Sequence, residues 1–155
     1  MLYINKEGKR AMSRQILKKE RIITDRLTLG SYRKEDRDRL AEMMRNPEIT
    51  ATFMVPDYSE EVQFYALADK LIEFSQINDT PHLEYGVYLD GYMIGFVNDC
   101  GYDDEAIELG YVIDPAFKGR GFATEAVNAV INELHEMGFK KVVAGFLKEI
   151  SAAEK

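Results

Sequence analysis

The residues with the clearest chemical potential are Lys118-Gly119-Arg120-Gly121-Phe122-Ala123, with Thr124 opening the segment that follows. Gly119 and Gly121 lack a Cβ, so the backbone can come close to a ligand and its N–H groups can converge on one point. Lys118 and Arg120 add positive charge there, in a chain whose net charge is −7. Ahead of them, Ile107 to Ile113 is an apolar segment closed by Asp114-Pro115. Behind them, Thr124 to Met137 carries Ala126, Val127, Val130, Ile131 and Leu134 at helical spacing. A glycine-rich turn between a strand and a helix gathers amide donors in front of the helix macrodipole, an anion site suited to a pyrophosphate. The plainer reading of the same residues is a tight strand-to-helix turn with no ligand. A Walker loop needs wider glycine spacing and a Lys-Ser or Lys-Thr pair. A dinucleotide fingerprint needs a third small residue inside a parallel βαβ unit. Neither pattern fits.

The other reactive residues offer less. His82 and His135 lie far apart, and no CxxC or HExxH spacing occurs, so no metal site is expected. His135 falls on the polar side of its helix. Cys100, the single cysteine, reads as a half-buried loop thiol with nothing beside it to lower its pKa. Met43, Met44, Met54 and Met93 read as core filler.

Periodicity gives the elements that must position the turn. Ile22 to Tyr32 alternates as a strand, with Ile23, Leu27 and Leu29 separated by Thr24, Arg26 and Thr28. A charged helix runs from Lys34 to Arg45 and stops at Asn46-Pro47. Ser59 reads as the N-cap of a second helix, which reaches Phe74 with Phe64, Leu67 and Leu71 on one stripe. Leu83 to Leu89, Asp90-Gly91 and Tyr92 to Val97 spell a hairpin, since Asp-Gly tolerates the positive φ angles of a tight turn. Gly138 closes the helix after the glycine turn, and Lys140 to Phe146 makes a last strand. The sum is an α+β fold on a mixed sheet: a strand, two helices, a three-stranded antiparallel meander, then a crossover helix and a parallel strand.

With 155 residues, 46% of them apolar and 11% aromatic, the chain suits one globular domain. The expected division is a basic extension over residues 1–20, with room for a short helix, and a single domain over 21–155. No apolar run approaches the roughly 20 residues of a membrane span. No secretory pattern follows the N-terminal lysines and arginines, and one cysteine makes no internal disulfide, so a cytoplasmic location is expected. The acidic balance disfavours nucleic acid and favours cationic partners such as amines.

Residues 20 to 146 resemble the GNAT superfamily of N-acetyltransferases, most of all the branch related to ribosomal-protein N-terminal acetyltransferases. The likeness rests on Lys118 to Ala123, with Thr24-Asp25-Arg26-Leu27-Thr28-Leu29, Asp36, Ile94-Gly95-Phe96 and Glu108-Leu109-Gly110-Tyr111. Lys118 stands where the family has Gln or Arg. The resemblance implies an acyl-CoA N-acyltransferase fold with acetyl-CoA as co-substrate and no metal. It implies that acetyl passes to a primary amine, on a small molecule or a protein N-terminus, by direct attack on the thioester. Lys118, Gly119, Arg120, Gly121, Phe122, Ala123 and Thr124 would hold the pyrophosphate. Tyr111, Val112 and Ile113 would offer backbone groups to pantetheine and polarise the carbonyl. An attacking amine must lose a proton, and Glu108 is the candidate base; its other reading is a structural carboxylate bonded to backbone or to an arginine. Asp99 and Glu84 are lesser candidates, and Tyr111 is expected to pack rather than react.

The family pattern continues with Asn, two residues, Ser, a helix and two strands. Here Ile150 and Ala153 stand at those two positions and the sequence ends at Lys155. The expectation is a GNAT-like fold lacking the usual last two strands. The open edge of its fifth strand would be closed by a second copy in a homodimer, or by the N-terminal extension. A non-catalytic acyl-CoA-binding or degenerate module, and a remnant without ligand, are the readings that compete with an enzyme on that account.

Overall fold

The computed structural model describes residues 2–4, 10–12, 19–51, 58–76 and 82–144. Strands β1 (Leu2–Ile4) and β2 (Arg10–Met12) pair antiparallel as a two-stranded ribbon, in place of the short helix allowed for in the extension. The remaining strands form one six-stranded sheet in chain order: β3 (Arg21–Ile23), β4 (Thr28–Gly30), β5 (Glu84–Leu89), β6 (Tyr92–Tyr102), β7 (Ala106–Ile113) and β8 (Lys141–Ala144). Helices α1 (Arg37–Arg45), α2 (Pro47–Thr50) and α3 (Glu61–Gln76) lie between β4 and β5, and α4 (Phe122–Glu136) joins β7 to β8. All neighbouring strands are antiparallel except β7 and β8, which the α4 crossover makes parallel, as the topology predicts.

Three local details depart from the sequence reading. The strand expected over Ile22 to Tyr32 is a hairpin, β3 and β4. Its turn is closed by the Thr24 amide on the Leu27 carbonyl at 2.9 Å and by the Leu27 amide on the Thr24 hydroxyl at 3.0 Å. A threonine hydroxyl that satisfies a backbone donor locally lets the chain reverse while the apolar alternation runs on through it. Asn46-Pro47 ends α1 but also starts α2, with the Asn46 side chain accepting the Glu48 amide and Pro47 at the first helical position. Helix α3 begins at Glu61, and the Gln63 carboxamide oxygen accepts the Ser59 and Glu60 amides at 3.1 and 3.0 Å. That cap comes from inside the helix rather than from the Ser59 hydroxyl. The Asp90-Gly91 turn is as expected, with φ of 50° and 82°.

The sheet separates two apolar layers. On one face Leu29, Tyr85, Val97, Ile107 and Leu109 pack with Phe122, Ala126, Val130 and Leu134 of α4. On the other, Tyr88, Phe96 and Val112 pack with Leu40 and Met43 of α1 and Ala68 and Ile72 of α3. Each fully buried aliphatic side chain contributes about 1.5–3 kcal/mol, which holds α4 in place and with it the turn that precedes it. Gly138, at φ 97°, ends α4. Lys19, at the end of the extension, pairs with Glu133 and Glu136 of α4, and its carbonyl accepts the Tyr85 hydroxyl. Among the described residues no helix is long and apolar enough to cross a membrane. Met43, Met44 and Met93 are buried as expected, while Met54 lies outside the described residues. Residues 145–155, on which the homodimer and missing-strand expectations rest, lie outside them too.

Candidate functional site

Strand β7 stops where Asp114 leaves the ladder. Its amide bonds the Ile94 carbonyl at 2.7 Å, and its side chain caps the 3-10 turn Pro115–Phe117 through the Ala116 amide at 2.9 Å. Arg39 of α1, largely buried, pairs with the Asp114 carboxylate and donates to the Met93 carbonyl at 3.0 Å. The point where the chain turns toward α4 is thereby fixed from both the helix layer and the sheet. Lys118 then continues extended and exposed, and Gly119 and Gly121 both adopt φ of 79°. L-residues are disfavoured there by about 1–2 kcal/mol, so the glycines are required by conformation. Gly121 is the N-cap of α4 without a side-chain cap, and the Glu125 amide on the Gly121 carbonyl makes the first helical hydrogen bond. The amides ahead of it therefore have no partner within the helix, the condition for an anion site in front of a fifteen-residue helix. Lys118, Gly119, Arg120 and Gly121 are exposed, Phe122 is buried as the anchor, and Ala123 and Thr124 are half-buried.

Beside the turn lies the end of β7. Within the described residues the parallel ladder to β8 runs from Ala106–Lys141 to Leu109–Ala144, and the residues after Ala144 lie outside them. Tyr111, Val112 and Ile113 remain paired to β6 on the other side, opposite Val97, Phe96 and Gly95. Tyr111 and Ile113 pack with the α4 layer, so Tyr111 packs as expected, and Val112 is buried toward α1.

Glu108 is exposed on β7, on the α1 and α3 face, since Ile107 and Leu109 on either side of it point to the α4 layer. Across from it β6 carries a bulge between Asp99 and Gly101, with Cys100 in it. Cys100 is thus an exposed strand residue rather than a half-buried loop thiol. Partial burial of its sulfur, then the charges of Glu108, Asp99 and Glu84, push its pKa up, which leaves it a protonated, weak nucleophile. Asp99 is occupied by the Leu83 amide at 2.6 Å, and burial raises its pKa. Glu84 is buried and accepts the Tyr32 hydroxyl at 3.0 Å. Asn98 sits between Glu84 and Gly110 in register, and its buried carbonyl oxygen has no hydrogen-bond partner among the described residues. His135 is exposed, with Nδ1 2.9 Å from the Phe139 carbonyl. No group of three or more metal-ligating side chains gathers among the described residues.

One cluster was not read from the sequence as functional. Glu125, in the first turn of α4, receives the Thr24 hydroxyl at 2.5 Å, the Arg26 amide at 2.9 Å and Arg26 Nε at 2.7 Å. Burial works to raise its pKa, but these donors outweigh it and hold the carboxyl below its usual range. Arg26 also donates to the Arg120 carbonyl at 2.8 Å and stacks on Phe122, 4.4 Å from the ring centre.

The sequence profile of the acetyltransferase (GNAT) domain matches residues 26–153. The chain belongs to the GNAT acetyltransferase family. No curated protein sequence matches it significantly. A GNAT-family acetyltransferase from Bacillus anthracis shares its fold with a TM-score of 0.68 and 18% identity, covering 85% of this chain and 76% of that one. The microcin C7 self-immunity acetyltransferase MccE, solved with acetyl-CoA and AMP, gives 0.67 and 19% over 84% and 76%. RimL, a ribosomal L7/L12 alpha-N-protein acetyltransferase, gives 0.69 and 15% over 93% and 78%. The GNAT fold implied by the family resemblance is thus the fold found, and ribosomal-protein acetyltransferases stand among its neighbours.

Proposed function

We propose that this GNAT chain transfers acetyl from acetyl-CoA to a primary amine, a protein N-terminal amine among the acceptors, by direct attack on the thioester. The observation that carries the reading is the pair of positive-φ glycines, Gly119 and Gly121, at the uncapped N-terminus of α4 beside the end of β7. The residues fit the co-substrate: Lys118 and Arg120 supply charge, and the amides from Gly119 to Ala123 supply donors for a pyrophosphate. The backbone of Tyr111, Val112 and Ile113, at the end of β7 just ahead of the glycine turn, is the expected dock for pantetheine. When bound, acetyl-CoA supplies the activated thioester. Exposed on the α1 and α3 side of the sheet, Glu108 takes the proton of the incoming amine, directly or through a water, while the N–C bond forms, the C–S bond breaks and CoA leaves as a thiolate protonated from solvent. Residues 21–155 act as the single acetyltransferase domain and residues 1–20 as its extension.

Calorimetry with acetyl-CoA tests the site. Micromolar binding by the parent and its loss in Gly121→Trp are expected, since the substitution puts a bulky L-residue at φ 79°. A parent that does not bind overturns the proposal. Once an amine screen gives turnover, Glu108→Gln should lower kcat by roughly 10²–10⁴-fold with KM for acetyl-CoA unchanged. An unchanged kcat would return Glu108 to a structural role.

A further inference from the structure

The pyrophosphate turn is held from outside, by a residue of the β3–β4 hairpin. Arg26 makes a two-sided contact: Nε reaches the Glu125 carboxylate at 2.7 Å and a terminal nitrogen reaches the Arg120 carbonyl at 2.8 Å. The carbonyl contact has a directional consequence. In a trans peptide the N–H points opposite to the C=O, so fixing the Arg120 carbonyl on Arg26 turns the Gly121 N–H away from Arg26. The same guanidinium lies over Phe122, the buried anchor of the helix start, so its position is set by packing as well as by charge. A Cβ on Gly121 would stand 3.4 Å from the other terminal nitrogen of Arg26, which shows how closely the two segments are fitted.

The charge contact has a second consequence. Glu125 places a carboxylate in the first turn of α4, where a bound pyrophosphate would bring negative charge. Left alone, that carboxylate would oppose the anion. The Thr24 hydroxyl, the Arg26 amide and the Arg26 guanidinium direct it toward the hairpin and neutralise it.

We propose that Arg26 is a positioning residue for the acetyl-CoA site: through the Arg120 carbonyl it orients the Arg120–Gly121 peptide, and through Glu125 it removes a repulsive charge from the anion site. The inference rests on the acetyl-CoA reading above and adds to it a residue far from the turn in sequence. Arg26 is 44% exposed, so its ion pair adds little to folding, and its contribution goes to affinity for the anion.

The test is a mutant cycle of the full chain, with acetyl-CoA affinity read by calorimetry and folding read by thermal melting. Arg26→Met should raise Kd about tenfold while the melting midpoint falls by only a few degrees. Glu125→Gln added to Arg26→Met should recover part of that affinity, because it deletes the charge Arg26 no longer balances. A purely structural role predicts the reverse, a double variant weaker than either single one. Arg26→Lys should recover less than Glu125→Gln does, since one ammonium cannot reproduce the planar two-sided contact. Equal affinity in parent and Arg26→Met, or no recovery in the double variant, overturns the inference and leaves the acetyl-CoA site standing. A parent that binds no acetyl-CoA overturns both.

Discussion

A single methyl group at Gly95 should unfold or reshape the junction between β6 and β7. An ideal Cβ built there would lie 2.0 Å from the Val112 carbonyl oxygen, 2.9 Å from the Ile113 side chain and 3.0 Å from the Val112 carbonyl carbon. Carbon–oxygen contacts settle at roughly 3.3–3.6 Å, so the two strands would have to separate by more than about 1 Å. The obstacle is backbone at the last pair of the β6–β7 ladder, Gly95 opposite Ile113, held there also by the Asp114 amide on the Ile94 carbonyl, and no rotamer change relieves it. Overpacking a core side chain costs about 1–3 kcal/mol, and a clash with fixed backbone belongs at or above the top of that range. For a domain of this size each kcal/mol shifts the melting midpoint by roughly 2–4 °C, so Gly95→Ala should lose about 6–12 °C. The control is Gly86→Ala, whose Cβ would meet the Tyr88 ring at 2.8 Å and the Tyr32 ring at 3.0 Å. Those are side chains that can tilt, so a loss of about 1–2 kcal/mol is expected there. Melting and urea unfolding of both variants, followed by circular dichroism, decide the matter. A Gly95→Ala protein within roughly 0.5 kcal/mol of the parent would refute the reasoning, as would a Gly86→Ala protein losing as much as Gly95→Ala.

Two further outcomes are expected from the charged groups. Arg39→Met leaves the largely buried Asp114 carboxylate without its cation and should cost about 3 kcal/mol in urea unfolding, and adding Asp114→Asn should return part of it. The folded Glu125 carboxyl titrates below its ordinary 4.5, so its stabilisation is complete above that value and is lost as pH falls through the depressed one. Glu125→Gln should therefore cost about 1–2 kcal/mol at pH 7, with the gap to the parent closing in acid. Asp99 carries the opposite sign: raised by burial above 3.8, its carboxyl opposes folding increasingly as pH climbs from 3.8 to its folded value and fully beyond it. Asp99→Asn, which keeps an oxygen for the Leu83 amide, should thus stabilise the fold at pH 7 and not in strong acid.

What could be read from the sequence was whatever the backbone imposes on residue type. Asp90-Gly91, Gly119, Gly121 and Gly138 all sit at positive φ, and each was recognised because few residues adopt that conformation. The α4 stripe was equally visible, since a helix buried along one side repeats its apolar residues locally. Long-range contacts left no such mark. Asp36 entered the sequence reading only as part of a family likeness and Glu84 only as a lesser candidate base, yet both are buried, taking the Tyr88 and Tyr32 hydroxyls. Ile94-Gly95-Phe96 could be noted only as a family likeness, and the reason for its glycine is a carbonyl on the neighbouring strand.

The β3–β4 hairpin shows the same limit acting on function. Thr24 and Arg26 fell at the polar positions of an alternating run, and alternation continues unbroken through a turn closed by the Thr24 amide and hydroxyl on Leu27. Their partner Glu125 lies about a hundred residues away, in a helix turn where an acidic residue is already expected for the macrodipole. Each residue therefore had a sufficient local explanation, and only the fold brings them together around the Arg120 carbonyl. The glycine turn supplies amides without requiring any particular direction for them, since positive-φ glycines are also the residues least able to hold one conformation unaided. A turn built for close approach needs rigidity from elsewhere, and in this chain that rigidity comes from a guanidinium on the first hairpin of the main sheet.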